Sequence, residues 1–184
     1  MTKFRLRFPE SDISRWAQDY KVDSTEKEIE NAIVPLVRKV GYMDRDSFLY
    51  VCNWKTARSR KRCRENDNDF IHEVTQQALC TGNEEMRIKV LTLLRGVAWP
   101  TASVILHWFH QDWYPILDFR ALESVGIDRK DDAYDYDFTF WQAYTKYCRQ
   151  LADKKPCHDL AKKAGVSPMR ILDRALWQYS KERS

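Results

Sequence analysis

Apolar side chains recur at i, i+3 and i+4 along most of this chain, and the strict alternation of a half-buried strand is scarce. The pattern predicts a succession of amphipathic helices. After an irregular start ending at Pro9, Ser11-Asp12 is expected to cap a short helix with Ile13, Trp16 and Tyr20. A second helix begins at Ser24 and runs through Ile29, Ile33, Leu36, Val37 and Val40 to Gly41, with a kink or break at Pro35. A third covers Asp46 to about Trp54, with Phe48, Leu49, Val51 and Cys52. Asp67 to Cys80 reads as amphipathic (Phe70, Ile71, Val74, Ala78) and stops at Thr81-Gly82-Asn83. Asn83 then starts a helix from Glu84 to Leu94, with Met86, Val90, Leu91, Leu93 and Leu94 apolar, and Trp99 to about His110 forms the next. Further helices are expected over Phe119 to Val125, Phe138 to Asp153 and His158 to Ala164, with Pro156 as an interruption; Ser167-Pro168 opens the last, which carries Met169, Ile171, Leu172, Ala175, Leu176 and Tyr179. The fold class that follows is all-α, as one compact domain over residues 1–184.

Composition changes this picture little. Five Gly, six Pro and a net charge of +4 fit a helical protein and leave its partners open. Five Cys, at 52, 63, 80, 148 and 157, form no C-x-x-C pair, and the N-terminus lacks a signal peptide, so free thiols in the cytoplasm are expected. No apolar run approaches a membrane span. His107 and His110 lie on adjacent turns without Cys or acidic ligands at zinc spacing, and His72 reads as a surface or satisfied histidine, so no metal is expected.

The chemistry concentrates in Leu94 to Val125. Arg95-Gly96-Val97-Ala98 is a short turn between two helices, and the first turn of the second helix presents backbone N–H groups suited to phosphate. Eighteen positions beyond Pro100, the segment Tyr114-Pro115-Ile116-Leu117-Asp118 delivers one carboxylate to a helix start. Asp118 is therefore either a simple cap or a fixed anion able to stabilise a sugar cation and activate water. Upstream, Lys55, Arg58, Arg60, Lys61, Arg62 and Arg64 fall within ten residues that contain no acid. Such a run is either a solvated face or a strip that neutralises DNA phosphates. The adjoining Asn53 and Trp54 are either a helix end with a core indole or an amide and a ring able to read an extruded base.

Residues 94–106, LRGVAWPTASVIL, resemble the L-P-G-V-G-x-x-T-A hairpin of the helix-hairpin-helix DNA glycosylases, the superfamily of endonuclease III and the mismatch adenine glycosylase. YPILD resembles the segment that carries the catalytic Asp of the adenine enzyme, and the eighteen-position spacing agrees. The likeness covers about thirty residues and implies a helix-hairpin-helix over about 84–110 and a catalytic segment over about 114–125. It implies a monofunctional DNA N-glycosylase that hydrolyses the bond to a flipped base, with Asp118 catalytic. Asn53, Trp54, Lys55 and Trp99 would form the base pocket, and Lys55, Arg58, Arg60, Lys61, Arg62, Gly96, Ala98 and Thr101 would hold double-stranded DNA.

Two departures stand out. Ala98 replaces the second hairpin Gly, which loosens the approach to phosphate if that position needs a positive φ. Pro100 stands where bifunctional members carry a Schiff-base Lys, so no lyase activity is implied, unless Lys55 supplies the amine. Only Cys148 and Cys157 lie where the family's iron-sulfur ligands cluster, so no cluster or other cofactor is expected. The resemblance implies a monomeric, nucleoid-associated cytoplasmic enzyme of base-excision repair, without room for an added lesion-recognition domain. Excision of modified bases from phage DNA, a non-catalytic hairpin DNA-binding protein, and a helical protein-interaction domain are the alternatives. The base itself is not legible.

Overall fold

Helix starts follow the side chains able to accept a backbone N–H. In a computed structural model that describes residues 3–128 and 136–183, Asp23, Asp44, Asp67, Asn83, Asp118, Asp137 and Ser167 each accept one from the first turn of the helix they precede. In chain order the helices are α1 (Ile13–Asp19), α2 (Ser24–Glu28), a π-helix (Ile29–Ile33), α3 (Val34–Val40), α4 (Arg45–Lys55), α5 (Arg60–Cys63) and α6 (Asn68–Cys80). They continue with α7 (Glu84–Leu91), α8 (Trp99–Phe109), α9 (Phe119–Ser124), α10 (Phe138–Ala152), α11 (Lys155–Ala164) and α12 (Pro168–Glu182). No strand occurs among the described residues, so the all-α class holds. None of these helices is long and apolar enough to cross a membrane.

Several local expectations need correction. Ser11 and Asp12 do not cap α1, because a 3-10 turn over Glu10–Asp12 feeds straight into it. Pro35, which has no N–H, follows a π turn closed by Val34 N–H onto the Ile29 carbonyl, and the helix ends at Gly41 with φ 83. α7 stops at Leu91, three residues early, and tightens through Thr92 N to Lys89 O, Leu93 N to Val90 O and Leu94 N to Leu91 O. Pro156 does not interrupt α11 but lies in its first turn, where a missing N–H costs nothing. The charge-rich sequence DRKDDAYDYD, Asp128 to Asp137, reads as a loop facing water, and most of it, residues 129–135, lies outside the described residues.

Where the sequence predicts a single domain, the contacts gather in two units: residues up to Lys21 with those from Trp113 on, and Val22–Asp112. The Val22–Asp112 unit is built on α8. Residues 101–110 are buried all round, the polar Thr101, Ser103, His107 and His110 among them, and α3, α4 and α7 pack against this helix. The other unit is built on α12, whose Met169, Leu172, Ala175, Leu176 and Tyr179 are buried against α1, α9, α10 and α11. Its N-terminal segment is irregular but held: Arg5 and Arg7 donate their N–H groups to Val125 and Ser124 at 2.9 Å, and Phe4 packs on Phe140, Tyr144 and Tyr147.

Candidate functional site

In the Val22–Asp112 unit the turn and the basic run form one body. Leu94 to Val97 is a β-turn closed by Val97 N–H on the Leu94 carbonyl at 3.0 Å, with Gly96 third at φ 82. Only glycine fits there, since a Cβ would meet Cys63 Sγ at 2.7 Å and the Cys63 backbone N at 2.9 Å. Asn66, 5% exposed, joins the two stretches. Its Nδ2 donates to the carbonyls of Cys63 and Arg95, each at 2.9 Å, and its Oδ1 accepts Arg95 N–H at 2.8 Å. Arg45 extends the clamp, its Nη2 donating to the Arg64 carbonyl at 2.7 Å. Arg58, Arg60, Lys61, Arg62 and Arg64 are exposed around this body, and Arg95 lies 3.5 Å from Glu65. A fixed cationic surface bordering a helix N-terminus is suited to phosphate.

Ala98 answers the doubt raised by its sequence. It has φ −105 and ψ 176, an extended geometry open to any residue, so the missing Gly imposes no strain. As the N-cap of α8 it supplies no side-chain acceptor, and Pro100 has no N–H. The first-turn N–H groups of α8 thus belong to Trp99 and Thr101. Of the expected pocket residues, Asn53 is exposed, while Trp54, Lys55 and Trp99 are half-buried. Trp54 sets its ring edge-on to the buried Trp108, 5.7 Å away. Thr101, expected to grip DNA with its hydroxyl, is instead 4% exposed, because it begins the buried face of α8. His72 stacks on Tyr42 at 3.6 Å, and His110 is buried with Nδ1 accepting Asp112 N–H.

Asp118 belongs to the other unit. The extended segment before it is locked onto α10: Tyr114 stacks on Trp141 at 5.4 Å under the Arg149 guanidinium, and Tyr144 O–H donates to the Ile116 carbonyl at 3.3 Å. This delivers Asp118, half-buried, as the N-cap of α9 with Oδ1 accepting Arg120 N–H at 2.9 Å. The capping role foreseen as the plain alternative is therefore real. Sequence reasoning missed its surroundings. Burial and then the Asp118 charge push the Tyr136 phenol above its ordinary value, which puts that ring within electrostatic reach of the carboxylate. The Arg120 guanidinium lies over both Phe119, at 5.1 Å, and Trp177, at 5.6 Å, with Lys181 over Trp177 at 5.0 Å. No spacing rule signals contacts between α9 and α12, so only the exposed aromatic Phe119 next to Asp118 could have hinted at them.

Among the described residues, no three His, Cys, Asp or Glu side chains gather as metal ligands, and all five cysteines are free thiols. Comparison with models of known protein families, with curated proteins and with solved structures returned no match.

Proposed function

We propose that the protein is a monofunctional DNA glycosylase acting on a base turned out of duplex DNA. The observation that carries this reading is the single body made of the Gly96 turn and the cationic residues 58–64, joined through Asn66. Backbone N–H groups at the turn and the start of α8 take one phosphate, and the arginines and lysines take its neighbours. Cleavage of the base-sugar bond leaves positive charge at C1′. Asp118, at the start of α9, stabilises that cation and orients the attacking water. Tyr136 and the Arg120–Trp177 platform supply rings and a cation beside it. Pro100 offers no amine, so base release proceeds by hydrolysis without strand cleavage.

The test is incubation with duplex oligonucleotides bearing adenine mismatches, alkylated and oxidised purines and bulky modified pyrimidines of the kind found in phage DNA, followed by alkali. Strand breaks at one class of base are expected, and their loss in Asp118→Asn with unchanged duplex binding. Borohydride should trap no covalent adduct. A second reading, a DNA-binding protein without chemistry, is favoured by one fact: the carboxylate of Asp118 already serves as a helix cap. It predicts duplex binding with no strand breaks on any substrate.

A further inference from the structure

In the unit built on α12, two helices bring aromatic rings and cations together on one face. The Arg120 guanidinium carbon lies 5.1 Å from the Phe119 ring and 5.6 Å from the Trp177 ring, and the Lys181 ammonium lies 5.0 Å from Trp177. Tyr20, just past the end of α1, braces Trp177 edge-on at 5.4 Å. Two hydrogen bonds hold α9 on α12: Ser124 Oγ donates to the Leu176 carbonyl and Ser180 Oγ to the Glu123 carboxylate, each at 2.5 Å. The rings therefore stand on a fixed frame.

Exposure sets this face apart from the core. Phe119 is 38% exposed, Lys181 is exposed, and Arg120 and Trp177 are half-buried. An exposed phenyl ring laid against a guanidinium contributes little to folding by burial. The carboxylates of the three helices are engaged within the unit: Asp19 lies 3.9 Å from Arg15 and Asp173 2.5 Å from Arg170, Glu123 accepts Ser180, and Glu182 accepts Gln178 Nε2 at 2.7 Å. Lys181 also lines an open cleft of about 500 Å³ with Asp19, Lys21, Gln178 and Glu182, which carries the face beyond the indole and adds a second lysine. Flat rings interleaved with cations complement a ligand in which flat uncharged rings alternate with anions. A polynucleotide is such a ligand, and only where its bases are unpaired are their faces free to stack on side chains.

We propose that Phe119, Arg120, Trp177 and Lys181 form a binding site for an unpaired polynucleotide strand. Bases stack on the open side of Phe119 and on Trp177, while Arg120 and Lys181 meet the phosphates between them. A stacked base is a stronger partner for an indole than an exposed ammonium is, so Lys181 leaves the Trp177 ring for a phosphate as the strand arrives. The rings meet base faces and not base edges, which makes the site tolerant of sequence. It uses neither the Gly96 turn nor chemistry at Asp118, and so stands apart from the function proposed above.

The experiment measures binding of full-length protein by fluorescence anisotropy to labelled oligothymidylate, oligouridylate, an abasic phosphodiester of equal length and a duplex. Oligothymidylate or oligouridylate should bind at least tenfold more tightly than the abasic strand, and the two together tell deoxyribose from ribose strands. Phe119→Leu should weaken strand binding roughly tenfold, and Phe119→Trp, which keeps a ring, should retain it. Lys181→Ala should lower the log–log salt slope for the strand by about 0.7, and this exposed position keeps the test open if Phe119→Leu fails to fold. Replacing Arg60, Lys61 and Arg62 together by alanine should weaken duplex binding and spare the strand. Equal affinity for the abasic strand would overturn the proposal, since charge alone would then suffice. So would strand binding that Phe119→Leu and Lys181→Ala both leave unchanged, or no strand binding at all. Strand binding by a protein that binds no duplex overturns the function proposed above and supports this site.

Discussion

At position 118 the cap and the charge can be separated by substitution. Asparagine keeps an oxygen for Arg120 N–H, whereas alanine does not. Asp118→Ala should therefore cost about 1 kcal/mol and lower Tm by roughly 2–4 °C, with Asp118→Asn near the parent in a thermal melt. If the Asp118 charge helps hold Tyr136 protonated, Asp118→Asn should also bring the Tyr136 phenol down toward its ordinary value, though not onto it, since burial remains the larger cause. A 295 nm absorbance titration compared with that of Tyr136→Phe reads this shift. Ala98 gives a sharper contrast. Ala98→Ser adds the missing cap to α8 and should stabilise the protein by about 1 kcal/mol. Because Pro100 lacks an N–H, the new hydroxyl can cap only through Thr101 N–H, the donor assigned to phosphate. Greater stability with weaker duplex binding is the expected pair of outcomes, measured by melting and by anisotropy.

Among the elements, the connection between α6 and the turn bears most on the site. Asn66→Ala removes three hydrogen bonds and leaves the Arg95 backbone groups without their partner, at a cost of about 1–3 kcal/mol for each buried group not rescued by water. It should weaken duplex binding although the residue is placed in no DNA contact, and a loss of stability with unchanged affinity would show the turn to be rigid by itself. The α6–α7 pair also shows how far periodicity carries. Ile71, Val74 and Ala78 are buried as their spacing predicts, but Phe70 and Met86 are exposed and Leu93 is 61% exposed, while Arg87 is buried with its guanidinium on the Thr81 carbonyl. Alternate apolar residues define a stripe, yet which edge of that stripe meets a neighbour depends on the partner helix. Leu93→Ser should accordingly change stability by less than about 0.5 kcal/mol.

Across the molecule, charge is uneven in a way the total hides. Acidic and basic residues balance within 22–112, so the net +4 arises in the remainder, and the cationic surface at 58–64 is a local feature. Duplex affinity should fall steeply with salt, and replacing Arg60, Lys61 and Arg62 together by alanine should reduce the log–log slope by up to about 3, if each meets one phosphate. The unit built on α12 carries a different liability. Burial raises Tyr136, Tyr144, Tyr147, Cys148 and Cys157, the last to about 12. Each neutral form is favoured in the fold, so their support is complete below the unfolded values, about 8.5 for Cys and about 10 for Tyr. It is lost as pH climbs toward the raised ones. Far-UV circular dichroism should show helix loss setting in above about pH 10, blunted for Tyr136 and Tyr147 by their partial exposure.

The chain alone determined where its longer helices lie, because capping oxygens, prolines and apolar periodicity act within a few residues of where they stand. It likewise determined the tight turn at Gly96 and the delivery of Asp118 to a helix start. Only the tertiary structure decided that Gly96 rests on Cys63, that Asn66 ties residues 63 and 95 together, and that Thr101 points inward. Those outcomes depend on which helix faces meet. That is settled by the simultaneous burial of apolar surface from distant segments, and no local pattern records it.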